Sequence, residues 1–345
     1  MSLLTGVSDF FGLDIGTTAV RLVELRGGGP VKPLVRYGYV PIDIRLAVSD
    51  SKPDQQKTAQ VLKDLLVQSK VTSRNVVVGI PSQRVFTTLV DIDKLEGDEL
   101  DKSIKLQVDS IIPTQASESK IDWVVLGDSP KDQNKVEILL TSVPNEYVEG
   151  RLDMLESIGL NVIAFEPDNI ALTRSLVAPD ATLPQMVVDV GQNSTDIVIT
   201  MNGAPRLTRS IPTGAGAVVK AAMQNLNIDE QQAHQFVYKF GLSQDRLEGQ
   251  IYNAVISTVD IMEAELEKSI KFFANRYQTQ IERIIVSGAA SVMPDLPAYI
   301  ANKTGLSVEI GNAWRNVSVG SAQQNDLMAL SPYFGVAAGL AERNE

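Results

Sequence analysis

Asp14-Ile15-Gly16-Thr17-Thr18 and, farther along, Asp189-Val190-Gly191-Gln192-Asn193-Ser194-Thr195 decide how this chain is read. The first follows the apolar run 11–15 and precedes the β-rich run 19–25; the second lies between 186–190 and 195–201 in the same way. Each reads as a strand, a tight turn opening on Asp-x-Gly, and a returning strand. The aspartates are 175 positions apart in 345 residues, close to half the chain, which makes a weak sequence repeat but a good architectural one. Glycine lets such a turn bend sharply and approach a ligand. The turn then points N–H groups and the hydroxyls of Thr17, Thr18, Ser194 and Thr195 at one spot, a cradle suited to phosphate. Asp14 and Asp189 end their strands facing that spot. A carboxylate beside phosphate needs a cation between them, and magnesium, held mostly through water by one or two carboxylates, meets the need. Taken singly, either motif also reads as a plain hairpin with a glycine turn.

Working outward, the first half continues with the loop Gly27-Gly28-Gly29-Pro30, a strand over 34–40, a helix over 54–69 with Leu62, Leu65 and Leu66 on one face, and a buried strand over 75–80. Pro53 sits just ahead of that helix. A β-α-β-β unit follows, with strands at 85–92, 121–126 and 136–143 and a helix at 97–111; it reads as an insert of about 82–143. Asn145 is placed to cap a helix carrying Val148, Leu152, Leu155 and Ile158, ended by Gly159, before a strand over 160–165. The second half repeats the opening and adds a strand at 206–211 behind the hairpin signal Asn202-Gly203. Helices are expected at 215–226, at 229–238 with Asp229 as cap, and along a stretch running from Ile256 to Ile281. A strand at 283–287, a short helix at 297–304 and a closing helix at 332–341 complete the chain. The domain reading is 1–185, 186–331 with a helical part at about 214–282, and 332–345 returning to the first domain.

Two further segments suit a nucleotide. The strand at 283–287 runs into Gly288-Ala289-Ala290-Ser291, a small-residue turn that lets backbone come close to a sugar or base. Ile211-Pro212-Thr213-Gly214-Ala215-Gly216 offers N–H groups at a helix start, equally readable as a plain helix entry. Neither a Gly-x-x-x-x-Gly-Lys-Ser/Thr loop nor the dinucleotide fingerprint is present.

Composition narrows the classes. The net charge of −11 argues against general attraction to nucleic acid or anionic lipid. The absence of cysteine excludes disulfides, thiolate zinc sites and a cysteine nucleophile, and the single histidine, His234, supports no triad or metal site. No apolar run reaches the roughly 18–20 residues of a membrane span, and no secretory signal is evident, so a cytoplasmic protein is expected.

The order of phosphate hairpin, inserted unit, second hairpin, helical block and small-residue turn resembles the actin-like ATPase superfamily, an α/β, ribonuclease H-like two-domain fold. Within it the chain is similar to the PilM family of type IV pilus assembly. The similarity rests on the segment 11–25, on Val78-Gly79-Ile80-Pro81-Ser82, on Ile111-Ile112-Pro113, on Pro144-Asn145-Glu146-Tyr147-Val148, on 155–160, and on Asn312-Ala313-Trp314 with 335–341. The resemblance implies ATP or ADP with magnesium in the cleft, held by Asp14, Gly16, Thr17, Thr18, Arg21, Asp189, Gly191, Ser194, Thr195, Gly214, Gly288, Ala289 and Ala290. It adds Glu265, Lys268 and Ser269 of the long helix, which equally read as a solvated helix face. It implies a groove beside the insert for the cytoplasmic N-terminal tail of PilN, an inner-membrane protein, and leaves pilus motor ATPases and self-association open as further contacts. Ala289 stands where relatives usually carry glycine, and Gln107, near Asp109, where they tend to carry glutamate. Glutamine orients water without accepting its proton, so slow or absent hydrolysis is expected. A sugar kinase and an FtsA-like filament former are the rival readings on this fold; the first lacks a settled base, the second an amphipathic C-terminal tail.

Overall fold

The computed structural model describes residues 9–27, 29–95, 97–320 and 324–344. The loop residue Gly28 and the terminal Glu345 lie outside them. In chain order the elements are β1 (Phe11–Ile15), β2 (Ala19–Leu25), β3 (Lys32–Pro41), α1 (Ile44–Ala47), α2 (Lys52–Ser69), β4 (Asn75–Ile80), β5 (Phe86–Asp93), α3 (Asp98–Ile111), β6 (Ser119–Asp128), β7 (Lys135–Pro144), α4 (Asn145–Glu156), β8 (Asn161–Pro167) and α5 (Asp168–Leu176). There follow β9 (Gln185–Val190), β10 (Thr195–Met201), β11 (Ala204–Ile211), α6 (Ala215–Leu226), α7 (Glu230–Phe240), α8 (Gln250–Tyr277), β12 (Arg283–Ser287), α9 (Leu296–Thr304), β13 (Ser307–Ile310), β14 (Val317–Ser318) and α10 (Gln324–Ala341).

The two halves share one topology. One sheet has the order β14-β3-β2-β1-β4-β8 and the other β11-β10-β9-β12-β13. In both, an antiparallel meander of three strands continues into parallel strands. The hairpin turn at Asn202 and Gly203 has φ of +54° and +73°, the mirror-image geometry that matches strand twist.

Strand parity explains the layers. On β1 and β2, Phe11, Leu13, Val20 and Leu22 pack under Leu62 and Leu65 of α2 and Met154 and Leu155 of α4. On β9 and β10, Met186, Val188, Ile197 and Ile199 pack under α6 and α8. The alternate residues of both sheets face each other across a central layer. There Val23, Val187 and Ile285 meet Leu172 and Leu176 of α5 and Phe334, Ala337 and Ala338 of α10. Two helices fit between the sheets only because they approach very closely: a Cβ on Gly339 of α10 would run into the Ala171 carbonyl of α5.

The insert forms its own sheet, β5-β7-β6, with α3 on one face around Ile104, Val108, Ile138 and Leu140. Its opposite face meets the second half through Glu137 of β7, which has no exposed surface. Arg206 of β11 donates to it at 2.7 Å, the Arg276 Nε of α8 at 2.9 Å and the Tyr277 hydroxyl at 2.9 Å. Arg276 also reaches Asp91 of β5 at 2.9 Å, and Arg206 the Leu126 carbonyl at 2.8 Å.

Several local expectations are corrected. Asn145 is not a cap: Pro144 holds that position, and the Asn145 amide donates to the Ser117 carbonyl. α8 ends at Tyr277, where Gln278 turns left-handed, so Ile281 belongs to the following segment. α10 starts eight residues before Pro332, which lies inside it, and Pro53 lies within the first turn of α2. The four-residue α1, the two-residue β14, β13 and α5 were too short or too irregular to show a period.

Candidate functional site

The same parity that builds the layers aims the carboxylates. Asp14 and Asp189 occupy inward positions at the ends of β1 and β9, and their hairpin partners Arg21 and Asp196 lie directly across. Asp196 follows Arg21 by the same 175 positions that separate the two aspartates. The four side chains converge on one cavity of about 120 Å³. Gly16, Thr17, Thr18, Gly191, Gln192, Asn193 and Ser194 line it from the hairpin turns, and Gly288, Ala289, Pro332 and Tyr333 from the far side.

Asp168, the first residue of α5, is, with Asp196, Ser82 and Gln83, among the lining residues that the sequence did not assign to the nucleotide site. It lines the cavity, and its Oδ1 is buried with no hydrogen-bond partner. A Cβ on Gly79 of β4 would strike that oxygen, so the glycine keeps the space for it. The signal was present: a strand, Pro167, then an aspartate where a helix begins. It is a single residue without a repeat in the other half.

Electrostatics follow from this geometry. Arg21 is the single basic residue among the lining residues, against Asp14, Asp168, Asp189 and Asp196. Burial pushes the Asp14 carboxyl up, with Arg21 at 3.5 Å opposing. Burial, reinforced by the charges of Asp14, Asp196 and Asp189, drives Asp168 well up. Asp189 is pushed up to about 7 by burial and then by Asp196 and Asp14, and burial raises Asp196. Among the described residues no three His, Cys, Asp or Glu side chains are arranged to hold an ion by themselves. A cation that completes its shell with water and phosphate oxygens fits this surplus of negative charge.

Other predicted positions behave differently. Gly16 and Gly191 have no positive φ; their service is closeness, since a Cβ on Gly16 would come 3.1 Å from the Arg21 guanidinium. Gly288 has φ +84°, and a Cβ there would lie 2.7 Å from the Asp189 carboxylate. Thr195 turns away: its hydroxyl donates to the Thr213 carbonyl at 2.8 Å in the core. Gly214 does not line the cavity. It packs on the second hairpin, and the N–H groups of Ala215 and Gly216 are bonded to the carbonyls of Gly191 and Gln192, so the helix start is not free for an anion. Ala290 is buried and does not line the cavity. Glu265 pairs with Arg209 and Lys268, and the buried Ser269 hydroxyl bonds back to the Glu265 carbonyl; none of Glu265, Lys268 and Ser269 reaches the cavity. Gln107 and Asp109 are exposed on α3, bonded to Ser103 and the Ala116 N–H, and line no part of it. Gln107 therefore gives no ground for slow hydrolysis.

Two more concavities adjoin. Ser82 and Gln83 also line a space of about 380 Å³ with Phe86, Asn169, Thr208 and Arg209. A larger groove of about 1020 Å³ runs between α2, α4 and the insert. Its wall carries Asp50, Glu118, Glu146, Glu149 and Asp153 against Lys52 and Arg84, so it is acidic. Tyr147 lies in it with the guanidinium carbons of Arg84 and Arg151 at 5.1 and 5.3 Å from its ring centre.

Comparison with known proteins agrees with this architecture. The structure superposes on the PilM–PilN type IV pilus biogenesis complex with a TM-score of 0.82 at 25% identity, over 97% of this chain and 98% of that one. Ethanolamine utilization protein EutJ of Carboxydothermus hydrogenoformans matches with a TM-score of 0.59 at 16% identity, over 97% and 89%. MreB5 of Spiroplasma citri, solved with AMPPNP, matches with 0.55 at 12% identity, over 96% and 95%. The last two show the fold, which is actin-like. Residues 12–345 match the family model described as type IV pilus assembly protein PilM, and the chain belongs to that family.

Proposed function

We propose that the chain is an ATP-binding component of the pilus assembly platform that binds the cytoplasmic tail of a PilN-like membrane protein and changes conformation with nucleotide. It would work in the cytoplasm, held at the membrane through that partner. No helix among the described residues is long and apolar enough to cross a membrane. The observation that carries the nucleotide reading is the convergence of two glycine hairpins and four buried or half-buried carboxylates on one cavity.

In this reading the turns 16–18 and 191–194 hold phosphate oxygens, Asp14 and Asp189 hold magnesium through water, and Gly288 and Ala289 meet the adenosine. The cavity is smaller than the roughly 300–1,000 Å³ of ordinary ligand sites, so the halves must part to admit ATP. Asp168, and not Gln107, is the residue that would orient the attacking water. Its buried Oδ1, which lines the cavity and has no hydrogen-bond partner, suits a group that orients water and accepts its proton. The groove of about 1020 Å³ beside the insert is the proposed seat of the tail. Its acidity suits the Lys and Arg that cytoplasmic segments next to membrane spans carry in excess. In this reading the domains are 1–185, 186–331 and 332–345, with the insert at about 82–143 as the partner-binding part.

Titration calorimetry with ATP and Mg²⁺ tests the reading. Micromolar binding, lost in folded Asp14→Ala and Asp189→Ala, is the expected result. Asp168→Asn should keep binding and lower single-turnover hydrolysis by about 100-fold or more. Wild-type protein that binds no ATP would sink the nucleotide assignment.

A further inference from the structure

Between Ile80 of β4 and Phe86 of β5 the chain makes one short 3-10 turn, Ser82–Arg84, closed by Arg84 N–H to the Pro81 carbonyl at 2.8 Å. Its residues face two different sites. Ser82 and Gln83 line the carboxylate cavity. The Gln83 amide crosses to the other half of the molecule and donates to the Ser194 hydroxyl on the second hairpin turn. Arg84 points the opposite way into the acidic groove, where it donates to Asp50 at 2.7 Å and to the Val48 carbonyl at 3.3 Å and lies over Tyr147. The turn is also the entry to the insert.

We infer that Gln83 senses occupancy of the phosphate cradle and relays it through this turn to the partner groove. The inference rests on the proposed function and specifies how its two sites communicate. Ser194 lines the cradle, yet its oxygen is engaged by an amide N–H. A phosphate oxygen is an acceptor carrying charge, so it attracts the Ser194 O–H and the Gln83 N–H alike, through stronger, charge-assisted bonds. The Ser194 O–H donates to phosphate while its oxygen can still accept from Gln83; it is the Gln83 N–H, turning to the charged and stronger acceptor, that breaks the direct bond. The cavity must widen for this, which moves Gln83 relative to Ser194. A single tight turn has little slack, so the motion passes to Arg84 one residue on and loosens or re-aims its hold on Asp50 and Tyr147. Because the groove has different geometries with the cradle full and empty, its ligand has different affinities in the two states, and the coupling runs both ways.

The test measures binding of a synthetic PilN N-terminal tail peptide by calorimetry, without nucleotide and with saturating AMPPNP and Mg²⁺. Wild-type protein should show a change in peptide Kd of about five-fold or more between the two conditions. In Gln83→Ala the ratio should fall to near one, because saturation removes any effect of the variant on nucleotide affinity. Ser194→Ala breaks the same bond from the other side and should give the Gln83→Ala peptide affinity without nucleotide; it serves also if Gln83→Ala fails to fold. AMPPNP and peptide both binding with a ratio that Gln83→Ala leaves intact, or with a wild-type ratio of one, would overturn the relay alone. Wild-type protein that binds no AMPPNP would overturn the cleft assignment and the relay with it.

Discussion

Replacing Glu137 by glutamine should undock the insert from the second half. The carboxylate is fully buried; Oε1 takes Arg276 and Tyr277, and Oε2 takes Arg206 and Tyr277. Glutamine keeps the shape but loses the charge, and its NH₂ must face an arginine that is itself a donor. Breaking one side of a buried ion pair costs about 3–5 kcal/mol, because the remaining charges stay buried without compensation. The chain carries two tryptophans, Trp123 on β6 of the insert and Trp314 in the central layer, so Trp→Phe backgrounds read the two regions separately. In urea, the Trp123 transition should move down by on the order of 1 M and separate from that of Trp314. Glu137→Met combined with Arg206→Met should recover much of the loss, since Arg276 still has Asp91 at 2.9 Å and no unpaired charge is left at Arg206. A Trp123 midpoint that moves by less than about 0.2 M in Glu137→Gln would refute the reasoning.

Further outcomes are expected. Asp189, held up to about 7 against an ordinary 3.8, favours its protonated form in the fold. Its stabilising contribution is whole below pH 3.8 and is lost as pH rises through about 7. Nucleotide-free protein should accordingly melt at a higher temperature at pH 5.5 than at 7.5, by a margin that shrinks in Asp189→Asn. Thr195→Val should lower stability by about 1–2 kcal/mol through its lost bond to Thr213 and leave ATP affinity within about two-fold, whereas Ser194→Ala should change nucleotide binding; calorimetry separates the two. Gly339→Ala should destabilise the chain by about 1–3 kcal/mol or more in a thermal melt, because α5 and α10 must move apart.

What could be read beforehand was whatever repeats or has a period. The paired hairpins, the β-α-β-β insert and the boundaries of α6 and β12 follow from apolar runs and glycine turns. Asp196 was within reach too, as the counterpart of Arg21, had the offset been followed past the aspartates. Asp168 carried only the weak signal of an aspartate after Pro167, because its place depends on where α5 enters between two sheets. Thr195 adjoins the phosphate hairpin in sequence and Gly214 precedes α6, but strand parity turns one inward and helix packing covers the other. The docking of Glu137 depends on residues 69 and 139 positions away, and an isolated glutamate in an apolar strand carries no mark of its partners.

The opposition of Arg21 and Asp196 has a geometric meaning. Two hairpins of the same topology, built at a common offset, would by themselves make a pocket with a two-fold pseudo-axis, indifferent to which end of a ligand enters first. A cation at one of the related positions and an anion at the other abolish that indifference. The cleft has a poled wall, and a ligand with one charged and one uncharged end meets it in a single orientation.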